Sequence, residues 1–146
     1  MELKIKKFHE LTAEELFAIY HLRVSVFVVE QSCPYQEVDE LDKRACHVWL
    51  QDECGIQAYL RVLEPGARFE EAAIGRVIAV KRRQGLGSRI LREGIVVAEQ
   101  RFGAKAIRLE AQVYAKSLYE KAGFREVSEE FLEDGIPHVE MLWTKE

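Results

Sequence analysis

Two hydrophobic periods alternate along the chain. Leu3-Lys4-Ile5-Lys6 switches between apolar and polar at every second position, which predicts a strand with one buried face in LKIKKF. From Thr12 the period lengthens. Leu16, Ile19, Tyr20, Arg23 and Phe27 recur at helical spacing, and Thr12 with Glu15 makes a capping box, so a helix is predicted over 13–28. SCPYQEVDELDKRA has no apolar period and reads as a loop or a broken helix. CHVWLQDECGIQAYLRVL reads as two strands joined by a turn at Asp52–Gly55. Ile74 to Val80 is nearly all apolar, as in a strand central to a sheet.

After two glycines, helical periodicity runs to Phe102 and stops at Gly103, a residue suited to a left-handed terminator. AKAIRLEAQ predicts a strand, and AKSLYEKAG a short helix ending at Gly123. FREVSEEFLEDGIPHVEMLWTK predicts two closing strands around Asp134-Gly135. The order is β-α-β-β-β-α-β-α-β-β. Its strand, glycine turn, helix, strand unit is a crossover, which places one locally parallel pair in an otherwise antiparallel α/β sheet. No repeat or linker interrupts the 146 residues, so residues 1–146 are expected to form a single domain. Met141 and Trp143 alternate on the last strand, which suits either a core face or the seam of a homodimer.

Composition narrows the function classes. With 48% hydrophobic and 32% charged residues the chain is globular. A net charge of −4 gives no general nucleic-acid footprint, so any attraction for an anion is local. No apolar run reaches the roughly 20 residues that span a bilayer, so no membrane association is expected. MELKIKKFHEL lacks the apolar core of a signal peptide, so a cytoplasmic location is expected. Cys33, Cys46 and Cys54 are odd in number and form no C-x-x-C pair. Free buried thiols are expected rather than a disulfide framework or a metal site, although Cys46 and Cys54 flank the predicted hairpin and could approach each other.

RRQGLGSRIL joins the apolar strand to the long helix. Glycines at such a junction expose consecutive amides, and the helix dipole makes that corner attractive to phosphate. Relief of backbone strain at the turn is the alternative reading. The spacing is neither that of a P-loop nor that of a dinucleotide-binding G-x-G-x-x-G.

Two motifs together carry a resemblance. Arg82-Arg83-Gln84-Gly85-Leu86-Gly87 matches the Q/R-x-x-G-x-G/A pattern of the GNAT superfamily of acyl-CoA-dependent N-acetyltransferases. QVYAKSLYEKAGF resembles its second motif, N-x-x-A-x-x-L-Y-x-x-x-G-F, with Gln112 at the usual Asn position. VFVVEQSCPYQEVDELD and EEFLEDGIPHVEM resemble the ElaA/YjcF-like branch. Only Lys81 separates Val80 from Arg82, a tighter connection than the superfamily's usual one.

The resemblance implies a GNAT-like fold, a mixed and mostly antiparallel sheet with a splayed parallel pair, flanked by helices. It implies acetyl-CoA as cosubstrate, an amine as acceptor and no metal. The pantetheine arm is then expected along the backbone of Ile78, Ala79 and Val80. The pyrophosphate is expected at Arg82, Arg83 and the amides of Gln84, Gly85, Leu86, Gly87 and Ser88, with Gln112, Ser117 and Tyr119 completing the cofactor side. Tyr119 matches the position of the family's usual proton donor to the leaving thiolate. A CoA-binding regulatory module with little or no turnover is the alternative.

The general base is open at this level. The strand IGRVIAV carries Arg76 where a carboxylate is often found. Glu30, at the end of the first helix, and His138, near the C-terminus, are the base candidates; Glu110 could face the helices or the site. Glu30, Glu37, Asp39, Glu40 and Asp42 could attract an amine cation or simply form a solvated loop. Arg23 and Arg76 suit ion pairs with these acids, and one buried pair would account for an arginine on an apolar strand.

Overall fold

Strand β1 (Glu2–Lys7) runs antiparallel to β2 (Cys46–Asp52), setting Leu3 opposite Leu50 and Ile5 opposite Val48, in a computed structural model that describes residues 1–80 and 84–146. Between them lies α1 (Ala13–Val24), opened by the expected capping box: Thr12 Oγ1 accepts from the Glu15 amide at 3.1 Å, and Glu15 Oε1 accepts from the Thr12 amide at 2.9 Å. Strands β3 (Gly55–Leu63) and β4 (Ala72–Ala79) continue the antiparallel sheet. Helix α2 (Leu86–Phe102) crosses over to β5 (Ala106–Gln112), which pairs with β4 in parallel. After the short α3 (Lys116–Lys121) come β6 (Arg125–Glu126), β7 (Phe131–Glu133) and β8 (Ile136–Thr144). The sheet order is β1-β2-β3-β4-β5-β8-β6, with β7 also on the outer edge of β8. One parallel pair in a mixed sheet flanked by helices is the fold that the pattern predicts.

Period-2 alternation sorts the two faces. Val48, Leu50, Leu60, Val62 and Ile74 pack under α2 against Ile90, Leu91 and Ile95. A Cβ on Gly94 would lie 2.8 Å from Leu60 Cδ2, so this glycine lets the helix approach β3 closely. On the opposite face Trp49 and Tyr59 pack against Ile19 of α1. Met141 is fully buried and Trp143 packs at the edge of the core, so both contribute to it.

The sequence reading differs from the fold in several places. The helix expected over 13–28 ends at Val24, and Ser25–Glu30 continues as a π-helical turn in which no residue is fully buried. Three closing strands form instead of two; β6 has two residues, too few for a period to show. Cys33 and Cys46 are buried but Cys54 is exposed. Cys46 pairs with Val62 at one end of the hairpin and Cys54 sits in the turn at the other, so the two do not approach. Val80 falls just outside β4.

The segment between α1 and β2 is held by ions. Arg23 is fully buried and donates through Nη1 and Nη2 to Asp42 at 2.7 and 3.0 Å, and through Nε to Glu37 Oε2 at 3.0 Å. Arg61, on β3, reaches Asp39 at 2.7 Å and Asp42 at 2.9 Å. Arg76, on β4, reaches Glu37 Oε2 at 2.5 Å and the Glu37 carbonyl at 2.8 Å. Three guanidinium groups thus face three carboxylates. His47 completes the cluster, with Nδ1 2.7 Å from the Tyr59 hydroxyl and Nε2 2.9 Å from the Asp42 carbonyl. That carbonyl can only accept, so the ring carries its proton on Nε2 and accepts at Nδ1 from Tyr59.

Burial works against charge at both Asp42 and His47. At Asp42 burial alone raises the pKa, but hydrogen bonds and charge from Arg23 and Arg61 bring it below the ordinary value. At His47 burial lowers the pKa, aided by Arg23 and Arg61, and the imidazole stays neutral. An uncompensated charge left in such a site costs about 3–5 kcal/mol. Arg23→Leu is therefore expected to lower stability by about that amount, read from urea unfolding midpoints at neutral pH. Asp42 stabilises the fold above its unfolded pKa of about 3.9, and this contribution is lost as pH falls through its lower folded value. Neutral His47 stabilises it above about 6.5, with loss on acidification below that pH. The urea midpoint should accordingly fall in two stages from pH 8 to 3, and His47→Gln should abolish the upper stage while sparing the lower.

Candidate functional site

Strands β4 and β5 pair at only two positions, Ala72 with Ile107 and Ala73 with Arg108. Beyond them the strands part, and β5 keeps its ladder with β8 as far as Gln112 opposite His138. The gap is a cleft of about 670 Å³. Its walls are β4 from Ala73 to Ala79, the exposed face of β5, the π-helical turn and the β7–β8 turn.

A bulge on β4 accompanies the parting. Tyr59 is opposite Ile78 while Arg61 is opposite Gly75, so β4 carries one extra residue across this interval. Arg76 lies within it at φ +55°, a left-handed conformation that costs a non-glycine residue about 1–2 kcal/mol. Its ion pair and its bond to the Glu37 carbonyl hold it there. The arginine expected to need a buried partner has one. The same contacts remove Glu37, Asp39 and Asp42 from any role in attracting a cation, and they are not a solvated loop either: Glu37 and Asp42 are buried. Glu40 is exposed and pairs with Lys43.

The end of β4 meets the N-terminus of α2. Gly85 is the N-cap at φ +71°, a conformation that suits glycine, and no side chain caps the helix. Gly87 lines the cleft, where a Cβ would lie 3.4 Å from Leu118 and 3.8 Å from Ala79, at ordinary contact. The chain's own packing therefore tolerates alanine there. Gln84 and Gly85 are exposed, Leu86 packs into the core and Ser88 is half-buried. Arg82 and Arg83 lie outside the described residues. Ile78, Ala79 and Val80 line the cleft; Ser117 is exposed on α3 and does not. Gln112 does, and it exchanges amide hydrogen bonds of 3.5 and 3.3 Å with Gln31.

The second motif is a helix terminator built around Tyr119. The Phe124 amide donates to the Tyr119 carbonyl and the Gly123 amide to the Glu120 carbonyl, each at 3.0 Å, with Gly123 at φ +101°. This Schellman arrangement explains the Y-x-x-x-G-F spacing. Phe124 also packs edge-on to the Tyr119 ring, with centroids 6.1 Å apart. The phenol borders the cleft and is 8% exposed. Burial pushes its pKa up, so it is protonated at neutral pH.

Both base candidates, Glu30 and His138, line the cleft. Glu30 is exposed at the end of the π-helical turn. The His138 ring is stacked on Phe131, and its Nδ1 lies 2.7 Å from the Ile136 carbonyl. A carbonyl can only accept, so Nδ1 is the donor there and Nε2 is the nitrogen left to face other partners. Glu110 faces the cleft and is ion-paired with Arg68. Arg61, Arg68 and Glu133 also line the cleft, and no motif marks them in the sequence. A signal existed for Arg61, whose place on β3, two residues from Tyr59, puts it on the face away from α2.

A family model described as an acetyltransferase (GNAT) domain matches residues 23–145. A UPF0039 protein of Schizosaccharomyces pombe is 40% identical over 145 residues, covering 97% of this chain and 95% of its own. Among solved structures, an acyl-CoA N-acyltransferase from Pseudomonas aeruginosa superimposes with a TM-score of 0.91 at 37% identity, covering 99% of this chain and all of its own. Escherichia coli ElaA superimposes with a TM-score of 0.90 at 32% identity, covering 97% and 98%.

The terminator at Gly123 has a measurable consequence. A side chain there meets the left-handed penalty and would press on Trp143 Cδ1, 3.3 Å from the Cβ position. Gly123→Ala is expected to cost about 1–2 kcal/mol and to lower the thermal midpoint. An unchanged midpoint would contradict the terminator's structural role.

Proposed function

The chain belongs to the GNAT family of acetyltransferases, and on that premise we propose that it is an acetyl-CoA-dependent N-acetyltransferase. It acts on a primary amine of a small molecule or peptide, by direct attack on the thioester. The supporting observation is the edge of β4 that β5 leaves without a partner beyond Ala73. A strand edge without a partner presents rows of N–H and C=O groups that an extended amide-containing arm can satisfy. At the end of that edge the uncapped amides of α2 provide for a pyrophosphate, and Gly87 leaves the approach free of a side chain. The residues present therefore fit the cosubstrate.

The thioester supplies an activated acyl carbonyl and a sulfur leaving group. Binding, orientation and proton handling fall to the chain. The backbone from Ile78 to Val80, at the end of β4 and just past it, aligns the arm, with Gln112 across the cleft on β5. Tyr119 gives its phenolic proton to the departing sulfur. Its ordinary pKa of about 10 lies above the thiol's value near 8.5. The burial that keeps the phenol protonated also disfavours a thiolate beside it, which favours transfer to sulfur. Leu118 and Ala79 pack along the cleft and exclude water from this step.

Calorimetry and steady-state kinetics test the two halves of this reading. Acetyl-CoA is expected to bind in the micromolar range, about −8 kcal/mol at 1 μM, and Gly87→Glu to abolish binding. Tyr119→Phe is expected to leave binding intact and to lower kcat by roughly 10²–10⁴-fold. Binding without transfer to any amine in a broad panel would favour a CoA-binding regulatory module. No binding by the wild-type protein would sink both.

A further inference from the structure

The acceptor half of the cleft has a charge pattern of its own. Arg61 and Arg76 are taken up by Glu37, Asp39 and Asp42, and Arg68 by Glu110. This leaves Glu30, Glu133 and Asp134 as cleft carboxylates without an ion-pair contact among the described residues, Glu133 sharing the field of Arg68. The wall between them holds His138, 9% exposed, whose Nε2 has no hydrogen-bond partner among the described residues.

Register fixes the relation of the acids to this ring. Phe131 is opposite His138 and Glu133 opposite Ile136, so Glu133, Ile136 and His138 share one face of the β7–β8 ribbon. His138 lies two residues further along β8 than the position facing Glu133, about 7 Å at 3.4 Å per residue. His138 is also opposite Gln112, where β5 ends beside the cleft. A contact of 3.6 Å from Cys33 Sγ to the Asp134 carbonyl ties the segment after Glu30 to the β7–β8 turn. The carboxylates therefore ring the mouth, and the imidazole lies deeper.

Resting on the acetyltransferase reading, we propose that the acceptor is an aliphatic diamine or longer polyamine, with its reacting nitrogen at His138 Nε2 and its second ammonium at Glu133. A site of this charge takes up the amine as its cation, so a proton must leave before attack. His138 Nε2 accepts that proton. The freed lone pair forms the N–C bond as the C–S bond breaks, and the nitrogen's second proton leaves to solvent. The sulfur takes the Tyr119 proton, which solvent restores, and His138 passes its proton to solvent, so one proton is released for each amide formed. An amine bearing a carboxylate at its far end would set like charges together at Glu133.

Three acceptors of matched length test this: pentane-1,5-diamine, 1-aminopentane and 6-aminohexanoate, each with acetyl-CoA and the full chain. The expected order of kcat/KM is diamine, then monoamine, then amino acid, with at least a tenfold difference between the first two. Glu133→Gln should bring the diamine-to-monoamine ratio towards one. His138→Gln should lower kcat for the diamine at least 100-fold with acetyl-CoA affinity unchanged. Equal rates for the diamine and the amino acid, or His138→Gln turnover within threefold of wild type, would overturn the proposal. So would acetyl-CoA binding without transfer to any of the three, which leaves the acetyltransferase reading open to other amines. Failure to bind acetyl-CoA would remove that underlying reading instead.

Discussion

The parting of β4 from β5 after two paired residues is the constraint on which the site depends. Two parallel strands that continued in register would leave neither a cleft nor an unpartnered edge. Arg76 sits at the bulge in an unfavourable left-handed conformation, held by Glu37. Glu37 in turn is fixed by Arg23 from α1, and Asp42 joins Arg23 to Arg61 of β3. One ionic unit therefore braces α1, β3, β4 and the segment between α1 and β2. Replacing a buried ion cluster with apolar groups can be neutral or even stabilising, so stability alone does not account for six charged residues here. Their directional bonds explain more, because they hold a strained backbone in one place.

Around this brace each remaining feature of the site has a local cause. The π-helical turn after α1 ends at Glu30 and so presents it to the cleft. The terminator at Gly123 fixes the Tyr119 carbonyl and so the entry of its phenol into the cleft. The Ile136 carbonyl sets the His138 tautomer. Acid and base candidates thus differ in their surroundings, a buried phenol kept protonated on one side and an imidazole tied at Nδ1 with Nε2 left free on the other.

Much of the fold was legible because its signals are local. Thr12 and Glu15 announce a helix start, Gly103 a helix end, and the alternation in β1 its two faces. The Gly85–Gly87 turn and the Tyr119–Gly123–Phe124 spacing were legible as a pair of motifs, and both lie at the end of the cleft where the proposed cosubstrate would sit. The acceptor side was not legible. Glu37, Asp39 and Asp42 look like a solvated or cation-attracting run in sequence, and only the folded segment delivers them to Arg23, Arg61 and Arg76. Glu133 reaches the cleft through the pairing of β7 with β8, a relation no short window contains. Arg76 was legible as needing a partner, but not as the left-handed residue of a bulge, since arginine carries no signal for that conformation.

Amide hydrogen exchange with and without CoA tests the central claim most directly, that the free edge of β4 receives the pantetheine arm. Slower exchange on CoA binding at amides within 74–79 and 84–88, with the amides of α1 unchanged, is the predicted result. Saturating CoA with no change across 74–79 and protection elsewhere would contradict it.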